Sequence, residues 1–169
     1  MIKIRNSFIC DKPIDEVFAL FARIDKLAWA FPTVNRVEVQ DEDNVSIGIL
    51  LKMGLLPLDN NLTLTVMERT HPSRLVAEGV ARPGGGLARA AKLIGGEDEG
   101  LTLIGMYLDL EPVENDHCRV RYLITCDATG NLKRIYDAII RGQRKKLESE
   151  FISNVGEILG GVVVEETPA

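Results

Sequence analysis

Residues 129–159 read TGNLKRIYDAIIRGQRKKLESEFISNVGEIL, and apolar side chains recur in them at intervals of three and four positions. This spacing places the apolar side chains on one face and predicts a single α-helix over residues 129–159. At about 1.5 Å per residue, such a helix would be roughly 45 Å long, so it needs an extended apolar surface to lie against. The apolar face consists of Leu132, Ile135, Tyr136, Ile139, Ile140, Leu147, Phe151, Val155 and Ile158.

The preceding residues predict a β-sheet that supplies this surface. Residues 2–9, IKIRNSFI, alternate with period two, and residues 34–128 consist mostly of strand-like segments separated by short polar turns. Strands joined by short turns form antiparallel hairpins. Between these regions, Pro13 and the acidic residues after it predict the start of a helix, and a second short helix ends before Pro32. We therefore predict an α+β fold in which one curved antiparallel sheet wraps around the C-terminal helix.

Length and composition fit one domain of ordinary size. We predict that residues 1–160 form the domain and that residues 161–169 are a short C-terminal tail. The net charge of −5 argues against a general nucleic-acid binder, which would carry a basic surface. No segment approaches the ~20 consecutive apolar residues of a membrane span, and the start of the chain does not have the pattern of a signal peptide. We expect a cytoplasmic protein.

The predicted inner face of the sheet is almost entirely apolar. Such a wall either packs completely on the helix or lines an apolar cavity, and the sequence leaves both outcomes open. If the cavity is open, we expect a ligand to contact residues of the last two long strands and of the helix. These candidates are Thr102, Ile104, Met106, Leu108, Val120, Tyr122 and Ile124 from the strands, and Leu132, Tyr136, Ile139, Gln143 and Leu147 from the helix.

Two further features bear on a cavity. Residues 82–99 form a connection that is long for a compact domain, with glycines on both sides of a possible short helix. Its apolar residues Leu87, Ala91 and Ile94 are candidate lid residues, and a surface loop without a function is the alternative. Gly142 interrupts the strong helical pattern, where it would leave room for a ligand or for a close strand contact.

The pattern of reactive side chains predicts no catalytic residues, no metal site and no cofactor. His71 and His117 fall in predicted turns without metal-ligand spacing or a neighbouring nucleophile. The three cysteines lack a C-x-x-C spacing, so we predict neither a disulfide framework nor a zinc site. A basic turn of the long helix would meet anionic lipid headgroups or an acidic partner, or it only keeps the helix surface soluble. This basic turn consists of Arg141, Arg144, Lys145 and Lys146.

Four segments are informative in their order and spacing: residues 7–32 (SFICDKPIDEVFALFARIDKLAWAFP), 52–69 (KMGLLPLDNNLTLTVMER), 72–79 (PSRLVAEG) and 126–155 (CDATGNLKRIYDAIIRGQRKKLESEFISNV). The last segment, with Thr-Gly-x-Leu at 129–132 and Phe-x-x-Asn-Val at 151–155, is the most specific. Together these segments resemble the START/SRPBCC superfamily, the birch-pollen-allergen-like helix-grip proteins, and within it the CoxG family of carbon monoxide dehydrogenase accessory proteins.

The resemblance implies a hydrophobic cavity between the sheet and the C-terminal helix. It also implies a binding or carrier protein for a lipid, a quinone or a similar molecule, accessory to a molybdenum hydroxylase complex and in peripheral contact with the inner face of the membrane. A polyketide cyclase or aromatase acting through Thr102, Tyr122, Tyr136 or Gln143 is a second hypothesis. An assembly subunit with a filled core is a third.

Overall fold

The computed structural model describes residues 1–53, 55–84 and 101–166. The predicted lid residues Leu87, Ala91 and Ile94 lie outside this range. Within the described range, two 3₁₀ turns, at Ala28–Ala30 and Glu114–Asp116, accompany the strands and α-helices. In chain order the elements are β1 (Ile2–Cys10), α1 (Ile14–Phe21), α2 (Ile24–Leu27), β2 (Val34–Val39), β3 (Asn44–Met53), β4 (Leu56–Thr70), β5 (Arg74–Pro83), β6 (Thr102–Val113), β7 (His117–Ala128), α3 (Gly130–Leu159) and β8 (Val163–Glu165).

The strands form a single antiparallel sheet in the order β2-β3-β4-β5-β6-β7-β1-β8. Strands β2 to β7 are neighbours in chain order, and the N-terminal strand β1 pairs over its whole length with β7. This arrangement, with two short helices after the first strand and one long helix near the end, confirms the predicted α+β fold.

Strand β8 lies within the predicted C-terminal tail and was not expected. Gly160 ends α3 in a left-handed conformation with φ of 68°, which glycine adopts without steric cost. The chain reverses there, and residues 163–165 pair with Phe8, Ile9 and Cys10 at the edge of β1. Residues 163–165 therefore extend the sheet by one short strand and cover the outer edge of β1.

Helix α3 extends over Gly130–Leu159, as predicted, but only its two ends are fully buried. Its first part packs in a small cluster with Leu58 and Ala128. Its last part packs in the larger core around Phe8, Phe21 and Phe151. None of the residues between Ile139 and Phe151 is fully buried, so the middle of the helix stands away from the sheet. The buried helix residues are Leu132, Ile135, Tyr136, Ile139, Phe151, Ile152, Val155 and Gly156.

Helix α2 and the residues that follow it close one side of this gap. The ring of Phe31 stacks on that of Phe151 with centroids 4.4 Å apart, and the Asn154 amide donates a hydrogen bond of 2.9 Å to the Ala30 carbonyl. These contacts join the segment after α2 to the last turns of α3. Among the described residues, no helix has both the length and the apolar character needed to cross a membrane.

Candidate functional site

A cavity of about 230 Å³ lies between the inner face of the sheet and the middle of α3. It occupies the space between the two clusters that bury the ends of the helix. Strands β3 to β7 form its floor, α3 forms its roof, and α2 with the following residues closes its side. The lining residues are Ile24, Leu27, Ala28, Phe31, Thr33, Val34, Ile47, Ile49, Leu51, Asn60, Leu62, Leu64, Ala81, Ile104, Met106, Ile124, Cys126, Tyr136, Ile139, Ile140 and Leu147.

The wall of this cavity is almost entirely hydrocarbon. Among the described residues that line it, only Thr33, Asn60, Met106, Cys126 and Tyr136 bring a polar or sulfur atom, and none carries a formal charge at neutral pH. Burial raises the pKa of the Cys126 thiol to about 11 and that of the Tyr136 phenol to about 12, so both groups are protonated at neutral pH. An ion would lose its hydration here without gaining a counter-charge, which makes the cavity suitable for uncharged apolar molecules.

The polar groups of the site gather at one place. The Asn60 amide nitrogen donates a hydrogen bond to the Tyr136 hydroxyl, which connects β4 with α3. Asn60 is 5% exposed and Thr102 is 1% exposed. Within the described part of the chain, the Asn60 amide oxygen and the Thr102 hydroxyl oxygen have no hydrogen-bond partner of good geometry. We call Asn60, Thr102 and Tyr136 the polar cluster.

Six of the twelve predicted ligand contacts line the cavity. Three come from the sheet and three from the helix, and together they form opposite walls of one space. Whether a ligand contacts them stays a prediction. The six are Ile104, Met106, Ile124, Tyr136, Ile139 and Leu147.

The other six lie elsewhere, because the inner face of the sheet is longer than the cavity. Leu108, Val120 and Tyr122 are buried in the large core beyond one end of the cavity. Leu132 is buried in the small cluster at the opposite end. Thr102 is buried in the polar cluster and does not line the cavity.

Gln143 lies at the rim of the gap rather than inside it. Its side-chain amide donates a hydrogen bond of 2.7 Å to the Lys52 carbonyl and so connects α3 with β3. Gly142 is exposed, and no heavy atom of the described residues lies within 4 Å of the position that a β-carbon would take. The predicted close approach of a strand at Gly142 is therefore absent.

The lining residues of α2 and of β3 to β5 were not among the predicted ligand contacts. In β4 the signal was present, because Leu58, Asn60, Leu62 and Leu64 alternate on one face and a single amide interrupts an apolar series. That pattern marks Asn60 as a polar group that faces inward. The contribution of α2 has no comparable signal, since it depends on how the helix is placed over the sheet.

No family model matches the chain, and no curated protein matches it. Several solved structures are similar to this chain in fold. A conserved protein from Geobacillus kaustophilus is similar with a TM-score of 0.72 and 13% identity over 96% of this chain and 99% of that one. The di-domain ARO/CYC BexL of the BE-7585A biosynthetic pathway is similar with a TM-score of 0.57 and 18% identity over 93% of this chain and 46% of that one.

An HSP90 activator from Plasmodium falciparum is similar with a TM-score of 0.54 and 12% identity over 96% of this chain and 99% of that one. The chain has a helix-grip fold. Identities this low show the fold alone, so the activities named for these proteins belong to them. The resemblance of this helix-grip chain to the CoxG family stays a prediction.

Proposed function

We propose that this chain is a carrier that binds an uncharged apolar small molecule between its sheet and α3. The observation that supports the proposal is the cavity of about 230 Å³ with its hydrocarbon wall. Cavities of about 150 Å³ with apolar walls bind benzene, so this volume suits a molecule of about the size of naphthalene.

The energetic cost of the cavity also supports a ligand. Unfilled core volume destabilises a protein by about 24 cal/mol per Å³. For a cavity of 230 Å³ left empty, the cost is about 5.5 kcal/mol relative to a filled core. Domains are stable by only about 5–15 kcal/mol in total, so a cavity of this size would remove a large part of the folding free energy if no ligand filled it.

The proposal is tested first on the protein as purified. Native mass spectrometry and organic extraction should reveal a bound apolar molecule, and isothermal titration calorimetry should detect naphthalene binding to extracted protein. Failure of all three would overturn the proposed function.

A pair of variants in β5 connects binding with the cavity. Ala81→Leu places three extra carbon atoms at a lining position and should abolish naphthalene binding. The control is Val80→Leu, which changes the neighbouring position on the opposite face of the sheet and should bind as the parent does. Equal binding by both variants would place the naphthalene elsewhere.

The cyclase hypothesis is less well supported by the geometry. It requires several polar side chains to converge on one ligand, but of the four residues considered for it only Tyr136 lines the cavity. Tyr122 is buried beyond its end, and Gln143 is engaged with Lys52 at the rim. A carrier needs no such convergence.

The proposed partners of the carrier are a redox enzyme of the molybdenum hydroxylase type and an anionic membrane surface. Both follow from the resemblance to the CoxG family, and the exposed basic turn of α3 (Arg141, Arg144, Lys145 and Lys146) supports them. The test is cosedimentation with vesicles of phosphatidylcholine and phosphatidylglycerol. Lys145→Glu with Lys146→Glu should weaken binding, whereas Lys133→Glu with Arg134→Glu in the same helix should have less effect. An absence of binding by the parent would contradict the membrane contact.

A further inference from the structure

The polar cluster contains hydrogen-bonding capacity that the described chain does not use. The Asn60 amide oxygen is an acceptor, the Thr102 hydroxyl is both donor and acceptor, and neither oxygen has a partner of good geometry among the described residues. Buried polar groups in native proteins nearly always have a partner. Two unsatisfied oxygens beside one apolar cavity therefore need an explanation.

The two oxygens belong to β4 and β6, the strands on either side of β5. Asn60 pairs with Pro83 on one side of β5, and Thr102 pairs with Ala81 on the other. Both side chains are buried on the inner face of the sheet, beneath α3. Asn60, Tyr136 and Ala81 line the cavity, and Thr102 pairs with Ala81, so the polar cluster lies at the cavity wall.

The hydrogen bond from the Asn60 nitrogen to Tyr136 leaves the amide oxygen as the free acceptor. Burial raises the pKa of the Tyr136 phenol to about 12, although its polar neighbours Thr102 and Asn60 act to lower it, so Tyr136 is uncharged. Among the described residues that line the cavity there is no Lys, Arg or His to neutralise an anion. A carboxylate or phosphate ligand would therefore be buried without a counter-charge, which is strongly unfavourable.

We infer that the cavity takes an apolar ligand carrying one hydroxyl group, an alcohol or a phenol, which docks at the polar cluster. The ligand hydroxyl donates to the Asn60 oxygen and accepts from the Thr102 hydroxyl. A single group of this kind satisfies both oxygens, whereas a ketone or an ether only accepts and leaves Asn60 without a donor. This inference rests on the proposed carrier function and adds the chemical class of the ligand.

Three probes of nearly the same shape test it: 2-naphthol, 2-methoxynaphthalene and naphthalene. Isothermal titration calorimetry at pH 7 should show 2-naphthol binding about tenfold more tightly than either of the others, which corresponds to one or two net hydrogen bonds. Equal affinity for 2-naphthol and naphthalene would overturn the hydroxyl inference and leave the carrier function standing. Binding of none of the three would overturn the carrier function itself.

Variants assign the preference to the two oxygens. Asn60→Leu and Thr102→Val should each reduce the affinity for 2-naphthol about tenfold while naphthalene binds at least as well as to the parent. The control is Asn61→Leu, because Asn61 lies on the exposed face of β4 and bonds with Arg36; it should keep the preference. Thr102→Val preserves the side-chain shape and decides the outcome if Asn60→Leu does not fold. A 2-naphthol preference retained in the folded Asn60 and Thr102 variants would overturn the assignment.

Discussion

Tyr122 illustrates how the surroundings of one side chain decide its role. Its ring packs with centroids 6.1 Å from Phe8 and 6.0 Å from Phe151, and its hydroxyl donates a hydrogen bond of 3.2 Å to Glu148. Tyr122→Phe should lower the free energy of unfolding by about 1 kcal/mol, because the Glu148 carboxylate loses a donor.

The affinity of the Tyr122→Phe variant for naphthalene should equal that of the parent, because Tyr122 does not line the cavity. Urea denaturation and calorimetry measure the two effects, and Tyr107→Phe on the outer face of the same sheet serves as the control. A loss of affinity in the Tyr122 variant alone would show that the cavity extends further than described.

Buried thiols make the protein sensitive to alkali. Burial raises the pKa of Cys10 from 9.0 to about 12, and that of Cys118 from 9.0 to about 11. The folded state therefore keeps protons that the unfolded chain releases. The stability that these two thiols contribute is fully present below about pH 9 and is lost progressively as the pH rises from there towards 12.

Above pH 9, each thiol lowers the free energy of unfolding by at most about 1.4 kcal/mol per pH unit. Urea denaturation at unit intervals from pH 7 to 11 should show this decline, and Cys10→Ala should make it shallower. A profile that stays flat up to pH 11 would contradict the burial of these thiols.

Residue roles were predictable where a single pattern decided them. Ile104, Met106 and Ile124 could be assigned to the cavity wall because alternation along a strand fixes the face on which a side chain lies. Position along the inner face is not encoded by alternation, so Leu108 and Val120 received the same prediction although the core covers them. Asn60 could have been predicted as the polar group of the cavity from its place in the apolar series of β4.

At the scale of elements, Gly142 and Gly156, the two glycines in the interior of α3, should respond oppositely to substitution. In the described part of the chain, a β-carbon at Gly142 would meet no heavy atom within 4 Å, so Gly142→Ala should raise the free energy of unfolding by about 1 kcal/mol through helix propensity alone. At Gly156, a β-carbon would lie 3.2 Å from the Gly161 carbonyl oxygen and 3.3 Å from a Val163 methyl.

In Gly156→Ala, crowding of the new β-carbon against residues 161 and 163 should therefore offset the gain in helix propensity, so the free energy of unfolding should not rise. Thermal and urea denaturation of the two variants in parallel measures the difference. Equal stabilisation by both variants would mean that β8 shifts to accommodate the new β-carbon with little loss of folding free energy. Destabilisation by Gly142→Ala would mean that the middle of α3 is closer to other atoms than the structure describes.

The elements themselves followed closely from the sequence. Helix α3 was predicted to within a residue because its apolar period continues over about eight turns, and the strands were recognised from alternation between polar turns. Strand β8 was missed because three residues are too few to show a period. Its pairing with β1 depends on the reversal at Gly160, a tertiary consequence of a left-handed residue.

At the scale of the whole molecule, the sequence left a filled core and an open cavity as equal outcomes, and the reason is physical. Whether apolar side chains fill a space depends on the sum of their volumes over a gap whose width is set by both ends of α3. Large aromatic residues fill one end, around Phe8, Phe31 and Phe151. In the middle, Ala28 and Ala81 supply little volume, so the gap remains open.

This architecture makes the global stability depend on what fills the gap. A ligand that binds only the folded state at a free concentration of 100 times its Kd raises the free energy of unfolding by about 2.7 kcal/mol. For a domain of this size, the melting temperature should rise by roughly 5–10 °C. Naphthalene at that excess should produce such a shift in the parent and in Val80→Leu, measured by circular dichroism at 222 nm. Ala81→Leu should show no shift, because its added carbons occupy the space that the ligand needs. An equal shift in Ala81→Leu would mean that naphthalene stabilises another part of the fold, and the gap between the two cores would then no longer account for binding.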